Sequence, residues 1–100
     1  MNHSEYDKRV EQLIEKVVEL CRLYGAREVL LFGSRAKDTA RERSDIDIAV
    51  SGVSAFDELQ EKIENIETLY TIDLVNLDQC RNALLKEDIE LYGRKIYKTV

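Results

Sequence analysis

Between Leu30 and Val50 the chain reads LLFGSRAKDTARERSDIDIAV, and this stretch limits the possible folds more than any other. Val29 to Phe32 is the longest uninterrupted apolar run and is expected as a buried strand. Gly33-Ser34 breaks it and opens a short helix expected to reach about Thr39. The loop from Lys37 to Arg43 mixes charges of both signs and is expected to be exposed. A second strand then begins with Asp45-Ile46-Asp47-Ile48. Asp45 and Asp47 are two residues apart, so on a strand they project from one face, while Ile46, Ile48 and Val50 point to the other.

Two carboxylates held side by side repel unless a cation lies between them. A small hard cation such as Mg2+ suits them, because it takes carboxylate oxygens and keeps positions for phosphate oxygens. A strand that ends in Gly-Ser at the start of a helix directs backbone N–H groups at one point, which is an anion site. Each feature alone is common: Gly-Ser is more often an ordinary turn, and Asp-x-Asp a solvated strand edge. Their conjunction is more specific, because this acidic pair is embedded among apolar residues. Acids and a phosphate cradle in one strand–helix–strand unit point to chemistry on a nucleoside triphosphate.

Gly33-Ser34, ten intervening residues and Asp45-Ile46-Asp47-Ile48 resemble the signature of the DNA polymerase β-type nucleotidyltransferase superfamily. The flanking segments FGSRA and SDIDIAV resemble its minimal nucleotidyltransferases, the MNT or MntA proteins. The resemblance is close in the motif, loose elsewhere, and in element order it spans nearly the whole chain. One hundred residues are expected to make one domain, 1–100, and the resemblance implies α/β (α+β) class. Its core would be polymerase β palm-like: a small mixed sheet of about four strands flanked by helices. Gly33 and Ser34 would contact the triphosphate. Arg35, the next candidate for nucleotide binding, stands equally well as a solvated helix residue. The sequence departs from a common family pattern at Lys37-Asp38, where many relatives have Arg-Gly.

The remaining elements are simpler. Residues 5 to 24 carry the stripe Val10, Leu13, Ile14, Val17, Cys21 and Tyr24, expected as an amphipathic helix stopped at Gly25. Ser54 with Asp57 looks like a capping box before a helix with Phe56, Leu59, Ile63 and Ile66 inward. Tyr70 to Leu77 reads as a third strand interrupted by Asp73. On the residues alone Asp73 is equally a site residue or a strand edge. The resemblance implies that it is the third carboxylate, joining Asp45 and Asp47 as catalytic and metal-binding residues. Asp78 is expected to cap a last helix carrying Cys80, Leu84, Leu85 and Ile89, ended by Gly93. Lys95 to Thr99 reads as a terminal strand with Ile96 and Tyr97 on opposite sides.

Composition excludes several classes. No apolar run is long enough for a membrane span. Cys21 and Cys80 lie far apart without a zinc-type cluster, and are expected as small apolar residues in helices in a reducing cytoplasm. A formal charge of −5 argues against direct nucleic-acid binding. His3, the single histidine, lies in the N-terminal tail and is a poor general base. The resemblance implies Mg2+ as cofactor, with two metal ions in the site, and ATP as substrate. No second domain to bind an acceptor is apparent, so the acceptor is expected on another polypeptide. MNT proteins pair with HEPN-domain toxins, which implies AMP transfer to a partner tyrosine and an antitoxin role. Two alternatives stay open on sequence alone: an idle subunit that neutralises its partner by contact, and a transferase acting on a small molecule or an RNA end.

Overall fold

The computed structural model describes residues 3–33 and 45–99. Helix α1 (His3–Leu23) leads into strand β1 (Glu28–Phe32), and strand β2 (Ile46–Ser51) follows. Helix α2 (Phe56–Glu64), strand β3 (Ile72–Asn76), a 3-10 turn (Leu77–Gln79), helix α3 (Ala83–Tyr92) and strand β4 (Arg94–Lys98) complete the order. The short helix expected after Gly33 and the charged loop from Lys37 to Arg43 lie outside the described residues. No described helix is long and apolar enough to cross a membrane.

The four strands form one mixed sheet in the order β3-β2-β1-β4. β1 runs antiparallel to both β2 and β4, while β2 and β3, joined through α2, run parallel. Alternation divides the side chains between two faces. Val29, Leu31, Ile46, Ile48 and Val50 join Val10, Val17 and Cys21 of α1 and Leu59 and Ile63 of α2 in the larger core. Leu30, Phe32 and Ala49 meet Ile89 of α3 on the other face. Ile46, Ile48 and Val50 have no exposure to solvent. A slip of one residue along β2 would take all three out of the larger core and turn the Asp47 carboxylate into it. Burying that carboxylate without a partner costs several kcal/mol, comparable with the whole stability of a small domain. The apolar face therefore fixes where the acidic face lies.

Local chemistry sets most of the boundaries. α1 ends in a Schellman motif: Gly25, at φ +84°, donates its N–H to Arg22, and Ala26 donates to the Cys21 carbonyl. α3 stops at Gly93, whose N–H reaches the Ile89 carbonyl at 2.8 Å. A side chain there would meet that carbonyl and lie 3.3 Å from Leu30 Cδ2.

Four expectations are corrected. The N-cap of α2 is Ala55, with no side-chain cap, so Ser54 and Asp57 form no capping box. Because the helix opens at Phe56, Ser54 stands one place outside the position from which a hydroxyl reaches the first-turn amides. Asp78 does not cap α3: Asn82 does, its Oδ1 accepting the Leu85 N–H at 3.1 Å. Asp78 lies in the 3-10 turn, and its carboxylate accepts the Gly52 N–H at 2.7 Å, tying the loops that follow β2 and β3. Cys80 is extended, at φ −72° and ψ 120°, so it lies outside any helix. Ile96 and Tyr97 both pack on the larger core, because the pairing of β4 with β1 shifts register between Val29 and Leu30. A bulge there breaks the two-residue alternation.

Candidate active site

The acidic site is built where β1 ends and where β2 and β3 begin. Register sets Phe32 opposite Asp47, and Asp47 beside Asp73 on the parallel neighbour. In-register residues of adjacent strands point to the same face, with backbones about 4.8 Å apart. Asp47 and Asp73 therefore project side by side, on the face that carries Ala49 and Val75 against α3. Asp45 precedes β2 by one residue and is exposed. Its backbone is tied down next door, where the Ile46 N–H bonds the Thr71 carbonyl at 2.8 Å. Two residues of extended chain put Asp45 about 7 Å from Asp47 along the strand. Asp47 is half-buried and Asp73 exposed, so the pair faces outward from its rung.

Gly33 completes the described part of the site. Its φ of +74° is left-handed, which favours glycine. The space above it is also taken: a β-carbon there would run into the Asp47 carboxylate, 3.1 Å from its Cγ. Two separate conditions exclude a side chain, and the second involves the carboxylate itself. The turn backbone and the Asp47 carboxylate are thus immediate neighbours. Ser34 and Arg35, the other candidate nucleotide-binding residues, lie outside the described residues.

Among the described residues, no three acidic, histidine or cysteine side chains stand gathered to hold a metal ion. The backbone nonetheless places hard oxygen donors from Asp45, Asp47 and Asp73 on neighbouring strand positions beside a turn with no side chain. That donor set fits Mg2+ better than a soft metal, since it contains neither thiolate nor imidazole.

A sequence profile described as Polymerase beta, Nucleotidyltransferase matches residues 15–99. The chain belongs to that family. It is a nucleotidyltransferase, and the family as a whole uses a nucleoside triphosphate and a divalent metal. No curated protein sequence matches the chain. Among solved structures, a chain of a toxin–antitoxin with AMP-PNP is 28% identical with a TM-score of 0.67, the match covering 85% of this chain and 73% of that one. A mutant of the toxin–antitoxin MntA-HpeT is 28% identical with a TM-score of 0.64, covering 85% and 72%. A nucleotidyltransferase from Sulfolobus solfataricus, 22% identical with a TM-score of 0.62 over 94% of this chain and 85% of its own, shares the fold. The mixed four-stranded sheet flanked by helices is the nucleotidyltransferase fold of these neighbours.

Proposed function

We propose that this nucleotidyltransferase, acting as a single domain over residues 1–100, moves AMP from ATP to a hydroxyl of a partner protein. The acceptor is a tyrosine of a HEPN-type toxin in the cytoplasm, and the transfer makes this chain the antitoxin of the pair. The observation that carries the reading is the rung Asp47–Asp73 set against the side-chain-free turn at Gly33. The toxin–antitoxin neighbours, one crystallised with AMP-PNP, support the choice of nucleotide and of partner class.

Asp45, Asp47 and Asp73 would hold Mg2+, in one or two sites. Bound there, the metal supplies charge neutralisation for the phosphate oxygens and for the entering and leaving oxygens. Gly33 and Ser34 hold the outer phosphates through backbone N–H groups and the serine hydroxyl, and Arg35 adds positive charge. The absence of a β-carbon at Gly33 lets the triphosphate approach the carboxylates closely. Asp73, exposed on β3, faces the acceptor and takes the proton of its hydroxyl. The hydroxyl oxygen bonds to the α-phosphorus, the bond to the β-phosphate bridging oxygen breaks, and pyrophosphate leaves. Positioning and charge compensation do most of the work in such a transfer, so few side chains are required.

The test is transfer of label from ATP into a HEPN-type toxin mixed with this chain. Label in the α-phosphate should appear on a partner tyrosine, label in the γ-phosphate should not, and Asp47→Asn should abolish incorporation. Full neutralisation of the partner without incorporation would establish a contact-only antitoxin. Incorporation into RNA or a small molecule would replace the acceptor class.

A further inference from the structure

The sheet face opposite the acidic rung carries a groove of about 520 Å3 between α1 and the β4 edge. Its floor is apolar, made by Ile14 and Val18 of α1 with Leu31 and Ile96. One wall is a row of carboxylates, Glu11, Glu15 and Glu19, spaced one helical turn apart. Arg94 lines it from β4. Glu19 is engaged by Arg22. Glu11, Glu15 and Arg94 have no ion-pair partner among the described residues. An apolar trough with the unpaired carboxylates of Glu11 and Glu15 on the helix and the unpaired Arg94 on the strand carries opposite charges on its two elements. That polarity selects both the chemistry and the orientation of what lies in it.

We propose that this groove is a docking site for an amphipathic helical segment of a partner protein. The segment seats aliphatic side chains on the partly exposed Ile14, Val18 and Ile96, with the buried Leu31 beneath them. It turns lysine or arginine toward Glu11 and Glu15, and a carboxylate toward Arg94. A second copy of this chain fits less well, since its own net charge is −5 and the acidic wall would repel it. The groove also has a useful location. Leu31 and its partner Arg94 lie one residue before the Phe32–Asp47 rung, so a segment held there is anchored at the Gly33 end of the sheet. It would raise the local concentration of a partner beside the acidic site without touching that site. The surface does not depend on nucleotide transfer, and it can fail or stand separately from that reading.

The probe is a synthetic four-turn helical peptide with a leucine stripe, lysines along one flank and glutamate along the other, titrated into the intact isotope-labelled chain. Amide and methyl signals of Ile14, Val18, Leu31 and Ile96 should move. Glu11→Gln with Glu15→Gln should weaken binding about fivefold to tenfold, as expected for two rim charge pairs. The peptide with its charges exchanged should bind more weakly by a similar factor. Glu61→Gln with Glu64→Gln on α2, another acidic helix surface, should leave affinity unchanged. Shifts centred on α2 or α3, equal binding of the exchanged peptide, no binding at all, or unchanged affinity of the Glu11/Glu15 variant would overturn the assignment. All four substitutions are at exposed positions, so folding is retained and can be checked by circular dichroism.

Discussion

Gly33→Ala is the substitution whose cost the structure resolves into parts. The left-handed φ of +74° charges an L residue about 1–2 kcal/mol. The smaller entropy of an unfolded alanine chain returns about 0.4–1 kcal/mol of that. The added β-carbon must also displace the Asp47 carboxylate, and driving a side chain off its rotamer adds about 0.5–1.5 kcal/mol. The net loss is about 0.5–3 kcal/mol, or a fall in Tm of roughly 2–24 °C for a domain of this size. Gly25 provides the comparison. It has φ +84°, and a β-carbon there meets nothing within 4 Å, so Gly25→Ala reports the backbone cost alone. Urea unfolding of both variants should show Gly33→Ala to be the worse by about 1 kcal/mol. Combining it with Asp47→Ala should recover that difference, a coupling well above the scatter expected of independent sites. Equal costs at Gly25 and Gly33, or strict additivity with Asp47→Ala, would refute the claim that turn and carboxylate are in contact. Misplacing Asp47 by as little as about 1 Å should also lower transfer about a hundredfold.

Further outcomes test other parts of the structure. Asp73→Asn, at an exposed position on β3, should change stability by no more than about 0.5 kcal/mol while reducing AMP incorporation at least a hundredfold, read by unfolding and by label transfer on the same preparation. Asn82→Ala removes the cap of α3 and should cost about 1 kcal/mol, whereas Ser54→Ala should cost almost nothing because α2 has no side-chain cap. Burial pushes the Cys21 thiol from an ordinary value of 9.0 up to about 12. The unfolded chain then loses this proton first, so the contribution is intact below pH 9 and is lost as pH rises from about 9 toward 12. Unfolding scans across that range should show the decline, and Cys21→Ser should remove part of it. At pH 8 a thiol reagent should modify Cys80, which is partly exposed, long before Cys21.

Much of this was legible in the residues because the strong signals are periodic. Ile46, Ile48 and Val50 alternate with Asp47, and burial of the first three leaves the carboxylate only one face to occupy. Asp73 was undecided by alternation alone. Register with Asp47 places it on the site face, and register between strands distant in sequence is not a local property. The same limit applies to Gly33, whose contact with Asp47 crosses two strands. Caps failed for a different reason. Ser54, Asp78 and Asn82 are all suitable capping residues, and small differences in backbone direction decide which is used. The extended Cys80 delays α3 until Asn82, which frees Asp78 to accept from Gly52. The bulge in β4 is likewise invisible to a reading that assumes strict alternation.

In the proposed function acids and turn act together on a metal-bound nucleotide, and calorimetric titration with an ATP analogue that cannot be cleaved at the α-phosphate tests this directly. The intact chain should bind the analogue with Mg2+ present and lose that binding with a chelator. The Asp45→Asn/Asp47→Asn protein should fold normally and bind at least tenfold more weakly. Equal affinity in the two proteins, or no heat of binding in either, would contradict the account.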